Sequence, residues 1–166
     1  MLEQLAYVAD ILAATGVVLS LVYVARQLKQ TNSMSRSAVR QTLNSKMIDF
    51  GMTVSSSLGL AEAMAKVHFD GLQRNDATNL ERIQLGYSLA GLINLWHLAF
   101  EHRKEGILTE QELTELFGTS TTLFRQPYLR SVWPTLASNY PQDFSAWLAD
   151  RFELSNGRLD AGESHR

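Results

Sequence analysis

His97 and Glu101 stand four residues apart on what reads as one helix, and His102 and Glu105 follow within the next turn. Residues at i and i+4 share a helical face, so an imidazole and a carboxylate placed there can share a proton or hold one cation. A carboxylate-bridged metal centre in a helical bundle calls for Glu-x-x-His on two helices. That motif occurs nowhere in the chain, where Glu101 is followed directly by His102. His68 and Glu62 are the remaining candidates for ligands from a second helix. The preferred reading has no metal and no cofactor, with His97 hydrogen-bonded at a bundle edge and Glu101, His102 and Arg103 solvated.

Nucleophilic chemistry finds no better footing. Ser35, Ser55, Ser56 and Ser57 have no base at readable spacing, and no glycine-rich phosphate loop or nucleotide fingerprint is present. The chain has no cysteine, which removes a thiol nucleophile, a thiolate zinc site and a disulfide framework. A net charge of −2 without a long basic run argues against a nucleic-acid partner. Trp96, Phe100, Phe117, Phe124, Trp133, Phe144 and Trp147 fall at helical spacing and read as core rather than as a ligand cage. The protein is expected not to be an enzyme.

The elements that would position such residues begin with an apolar run from Leu5 to Ala25, interrupted by Asp10, Thr15, Gly16 and Ser20 and closed by Arg26. At about 1.5 Å per residue a helix of this length spans roughly the 30 Å of a bilayer's hydrocarbon core. A cleaved signal peptide needs a basic n-region and a small-residue cleavage site, whereas Met1-Leu2-Glu3-Gln4 precedes the run and Tyr23-Val24-Ala25-Arg26 ends it. A buried core helix competes, since Asp10 deep in lipid is costly. Asp10 lies near the end of the run, within reach of the headgroup level, so a transmembrane helix is preferred. Copies of Asp10 in a symmetric assembly would raise one another's pKa, giving either a cation-binding ring or a tolerated boundary charge, and the tolerated charge is preferred.

Ala6, Ala9, Ala13, Gly16 and Ser20 recur at steps of three and four. Such a heptad seam of small residues lets two helix backbones approach closely in lipid. The expectation is a homo-oligomer, or docking on a partner membrane protein. Arg26, Lys29, Arg36 and Arg40 follow the run, and only acidic side chains precede it. The positive-inside rule then puts the N-terminus outside and the C-terminal domain in the cytoplasm, at a bacterial inner membrane.

Residues 27–38 form a juxtamembrane connector, in which Asn32, Ser33 and Ser35 either break the helix or let it run on. Residues 39–154 read as a helical cytoplasmic domain. Val39, Leu43, Met47, Ile48 and Phe50 mark its first amphipathic helix. A second covers about 58–70, apolar at Leu60, Ala61, Met64, Val67 and Phe69, with Gly71 just past its end. Thr78 and Glu81 form a capping box for a long helix that Gly106 ends. Its stretch Ile83 to Phe100 carries no charge. It is conceivable as a second span, but Gln84, Ser88, Asn94 and His97 favour a central bundle helix covered nearly all round. Thr109 and Glu112 make another capping box. Pro127 opens a helix that is kinked or stopped at Pro134, and Pro141 opens the last. Residues 155–166 read as a flexible tail.

The stretches LSLVYVARQLKQTN, AFEHRKEGILTEQEL and RSVWPTLASNYPQDFSAWL resemble a broad group of bacterial single-span membrane proteins with a small helical cytoplasmic domain. Arg26, Gln27 and Gln30 match its juxtamembrane pattern, Glu105-Gly106 its helix corner, and Trp133 the aromatic before its last helix. Thr31-Asn32 stands here in the reverse order. The group has no established activity, so the resemblance implies topology and fold alone.

The expected architecture is therefore all-α, an N-terminal transmembrane helix (1–26) followed by a small helical bundle. The expected function is a membrane-anchored, non-enzymatic interaction or scaffold protein that contacts lipid, either self-assembling through its anchor or serving as accessory subunit of a membrane complex. The alternative is a helical sensor domain that binds an apolar ligand, with Asn94 and His97 as its polar contacts.

Overall fold

A computed structural model of the chain describes the backbone of residues 2–153 and the side chains of residues 15–153 other than 119. Among the described residues the fold is all-α, without a strand. The order is α1 (Leu2–Ser56), α2 (Leu58–Phe69), α3 (Asn79–Lys104), α4 (Glu110–Phe117), a 3-10 turn (Gly118–Ser120), α5 (Thr121–Phe124), α6 (Pro127–Ala137) and α7 (Gln142–Arg151). The chain divides into two units, Met1–Gln41 and Thr42–Arg166.

The first unit is the leading part of α1, which passes Asn32, Ser33 and Ser35 without a break. Its hydroxyls return to their own helix: Ser20 Oγ donates to Gly16 O at 2.9 Å and Ser33 Oγ to Gln30 O at 2.8 Å. Bonded this way they do not offer the backbone an alternative to the helix. The expected transmembrane span is not supported, because no helix among the described residues is long and apolar enough to cross a membrane. Among the described side chains the apolar positions cover 16–25, followed on the same helix by Arg26, Gln27, Lys29, Gln30, Thr31 and Asn32, and this described part is shorter than the roughly 20 residues a crossing needs. The leading part of the expected run, 5–14, lies outside the described side chains, and with it Ala6, Ala9, Asp10 and Ala13.

In the second unit, local chemistry sets the helix ends. Thr78 Oγ1 accepts from Glu81 N, and Glu81 Oε2 accepts from Thr78 N at 2.7 Å, so two orphan donors at the start of α3 are satisfied together. Thr109 and Glu112 repeat the device at α4. At the end of α3, Gly106 adopts φ 72°, a left-handed conformation that a Cβ disfavours. It turns the chain so that Gly106 N reaches Arg103 O at 3.0 Å and Ile107 N reaches His102 O at 2.9 Å. This Schellman pair closes carbonyls that the helix leaves open. Pro127 occupies the first turn of α6, where its missing N–H costs nothing.

Pro134, expected to kink or stop α6, does not stop it: the helix continues to Ala137, because buried Tyr128, Leu129 and Trp133 hold its turns against the core. Nor is α3 covered all round. Leu85, Leu89, Leu92, Ile93 and Trp96 are buried, while Leu80, Ile83 and Tyr87 stand in the open, Tyr87 at 81% exposure. The helix has 26 residues, and α2 with 12 and α5 with 4 are too short to wrap it. Phe69, expected on the buried face of α2, is likewise exposed at 86%.

Trp96 stands at the centre of the core. Its ring lies 4.4 Å from Phe117, 5.8 Å from Phe124, 5.9 Å from Trp147 and 5.3 Å from Phe152, centroid to centroid. These separations fall in the range where tilted and edge-on aromatic pairs attract beyond their area burial.

Candidate functional site

Asn94, His97 and Glu101 recur along α3 at helical spacing, and the link between α6 and α7 carries Tyr140 to them. Tyr140 Oη donates to Asn94 Oδ1 at 2.9 Å and lies 3.3 Å from Ala90 O. The His97 ring sits edge-on to Tyr140 at 5.8 Å and tilted on Phe144 at 4.7 Å. Burial pushes the Tyr140 phenol above its ordinary range, so it stays a neutral donor. Beside it, Lys104 Nζ donates to Asp143 Oδ2 at 2.8 Å. That bond raises the ammonium and holds the Asp143 carboxyl below its usual range.

His97 is the atom-level exception in this corner. Its Nε2 stands 3.8 Å from Glu101 Oε1, beyond hydrogen-bond reach, and is buried without a hydrogen-bond partner. The corner thus holds a phenol, an amide and an imidazole between aromatic faces, with no base–nucleophile pair among them. It can fix a helix against a loop and offer one nitrogen. His68 and Glu62 do not join it, and no group of three or more metal-ligating side chains forms among the described residues.

Sequence reasoning passed over Arg151. At the end of α7 its guanidinium bonds to Glu110 Oε1 and, at 2.8 Å, to Thr114 Oγ1. It lies 5.4 Å from the centroid of Trp96 and 5.5 Å from that of Trp147. Arg103 reaches the other Glu110 oxygen at 2.8 Å. A planar cation over aromatic faces gains from their quadrupoles, and here it ties α7 to α4. The terminal arginine of an amphipathic helix was the available signal.

In the first unit the described part of the small-residue seam is Gly16 and Ser20. A Cβ on Gly16 would meet no heavy atom within 4 Å. Val17, Val18, Leu19, Leu21, Val22, Tyr23 and Val24 are exposed by 48 to 65% and so leave α1 apolar on every side. Arg26, Lys29, Arg36 and Arg40 follow along the same helix, all on exposed positions.

Compared with known proteins, the chain matches no family model, no curated protein and no solved structure.

Proposed function

We propose that this chain is a membrane-anchored, non-enzymatic interaction protein that self-assembles through the leading part of α1. The observation that carries the reading is the apolar girdle from Val17 to Val24, exposed all round the helix. Single exposed apolar residues are ordinary, but a contiguous exposed apolar surface marks a membrane or protein contact. Residues 5–14, mostly apolar, precede the girdle in the sequence and extend it toward bilayer length. The basic residues from Arg26 onward favour a cytoplasmic C-terminal domain at a bacterial inner membrane, with the N-terminus outside. Gly16 and Ser20 supply a low surface on which a second copy, or a partner's helix, can lie closely.

Two measurements test this. Alkaline carbonate extraction of expressing membranes should leave the chain in the pellet, and release into the supernatant overturns the anchor. The mass of the full chain in mild detergent, corrected for bound detergent, should correspond to one discrete oligomer that Gly16→Leu converts to monomer. A monomeric native chain overturns the assembly.

A further inference from the structure

The second unit carries a cavity of about 350 Å³ that opens to the surface, at the small end of the ~300–1,000 Å³ typical of small-molecule sites. One wall is a single face of α1, where Met47, Phe50, Gly51, Val54 and Ser55 fall at the i, i+3, i+4, i+7, i+8 positions. Met64 and His68 of α2 line it as well, and Leu92, Ser120 and Leu123 complete it.

The polar groups of this lining are almost all engaged within the protein. Ser55 Oγ donates to Gly51 O at 2.8 Å. Ser120 Oγ donates to Phe117 O at 2.8 Å and accepts from Trp96 Nε1 at 3.2 Å. His68, an exposed residue at the mouth of the cavity, leaves its imidazole free of hydrogen bonds and ion pairs to other described residues. The rest of the surface is apolar, with two methionines whose unbranched chains adapt to irregular guests.

Gly51 is the second observation. Glycine within a helix weakens it, and nothing packed in the protein requires glycine here, since a Cβ would meet no heavy atom within 4 Å. It stands at the middle of the lining face of α1, where any larger side chain projects into the open space. A leucine at this position would therefore occupy space that the glycine leaves open.

We propose that this cavity binds a single-chain carboxylate amphiphile, a medium-chain fatty acid, with its hydrocarbon against Met47, Phe50, Val54 and Met64 and its carboxylate on the His68 imidazole. A polar guest would strand its donors against those apolar walls. A purely apolar guest would leave His68 unused. Asn94 and His97, the expected polar contacts for such a ligand, line no part of it. The proposal is independent of the membrane anchor, because every lining residue belongs to the second unit.

Trp96, hydrogen-bonded to the cavity residue Ser120, provides the readout. The full chain, in buffer and in nanodiscs of dimyristoylphosphatidylcholine, is titrated with 11-bromoundecanoate, whose bromine quenches indole fluorescence at short range; the buffer titration tests the cavity whether or not the chain enters the discs. Saturable quenching is expected, weakened about tenfold or more by Gly51→Leu without a fall in Tm. His68→Ala should weaken quenching by the acid and leave that by its methyl ester unchanged. Quenching that does not saturate, or that Gly51→Leu leaves intact, overturns the site. Equal loss for acid and ester in His68→Ala overturns the placement of the carboxylate. Equivalent, Gly51-dependent quenching by brominated phosphatidylcholine in the discs assigns the cavity to membrane lipid and overturns the free acid.

Discussion

Trp96 Nε1 donates to Ser120 Oγ at 3.2 Å, joining the middle of α3 to the 3-10 turn after α4 through the one buried polar side chain among the described residues. Ser120 then donates to Phe117 O at 2.8 Å, so the hydroxyl uses both its roles. The pair fixes the rotation of the indole on which four aromatic rings converge.

Ser120→Ala removes the acceptor of the buried indole N–H. The expected cost is about 1–3 kcal/mol, the penalty of a stranded buried donor. Urea denaturation of the full chain followed by tryptophan fluorescence reads it, and an unchanged midpoint refutes it.

Glu81 accepts from Lys66 Nζ at 2.6 Å as well as from the Thr78 N–H and hydroxyl, which lowers its carboxyl from 4.5 to about 2. A depressed folded-state pKa adds stability that is fully present above the unfolded value and is lost as pH falls through the folded one. Thermal stability should therefore decline between about pH 4.5 and 2 through this group, and Glu81→Gln should flatten that part of the profile. A variant with an undiminished acid decline places the acid sensitivity elsewhere.

Glycines in α3 and at its end should respond with opposite sign. Gly91 lies inside the helix, and its Cβ would meet nothing within 4 Å. Gly91→Ala should stabilise by about 0.5–1 kcal/mol by restricting the unfolded chain. Gly106, at φ 72°, should lose about 1 kcal/mol as alanine, through left-handed strain. Paired melts of the two variants check both signs at once.

Tyr140→Phe removes the bond to Asn94 Oδ1. Asn94 is exposed and can turn to water, so the expected loss is about 0.5–1.5 kcal/mol. The same variant should shift the His97 ring resonances in an NMR spectrum, since the phenol edge lies against that imidazole.

What was legible in the chain was local. Thr78 with Glu81, Thr109 with Glu112, Gly71, Gly106 and Pro127 each act within a few residues, and each marks the helix end it was expected to mark. What depended on neighbours was not. Ile83 and Phe69 carry core-like side chains, but exposure is decided by whether another element reaches them, and none among the described residues does. The face Met47–Phe50–Val54 reads as ordinary amphipathic core. Only the placement of Met64, His68 and Leu123 across from it turns that face into a cavity wall. The sequence leaves a break and a continuous helix equally open at Asn32–Ser35, and α1 runs on through it, because short polar residues weaken a helix by increments too small to end one.

The ring contacts of Trp96 carry a consequence for the order in which this domain is made. Its partners Phe117, Phe124, Trp147 and Phe152 all follow it in the chain, and the last closes the end of α7. A growing polypeptide on the ribosome therefore leaves the Trp96 side of α3 without its ring partners throughout the synthesis of α4, α5 and α6. Only when Phe152 has cleared the exit tunnel does the indole acquire its full enclosure. The Trp96 cluster is thus completed last, and the Trp96 side of α3 is the surface that holdase chaperones should cover until then.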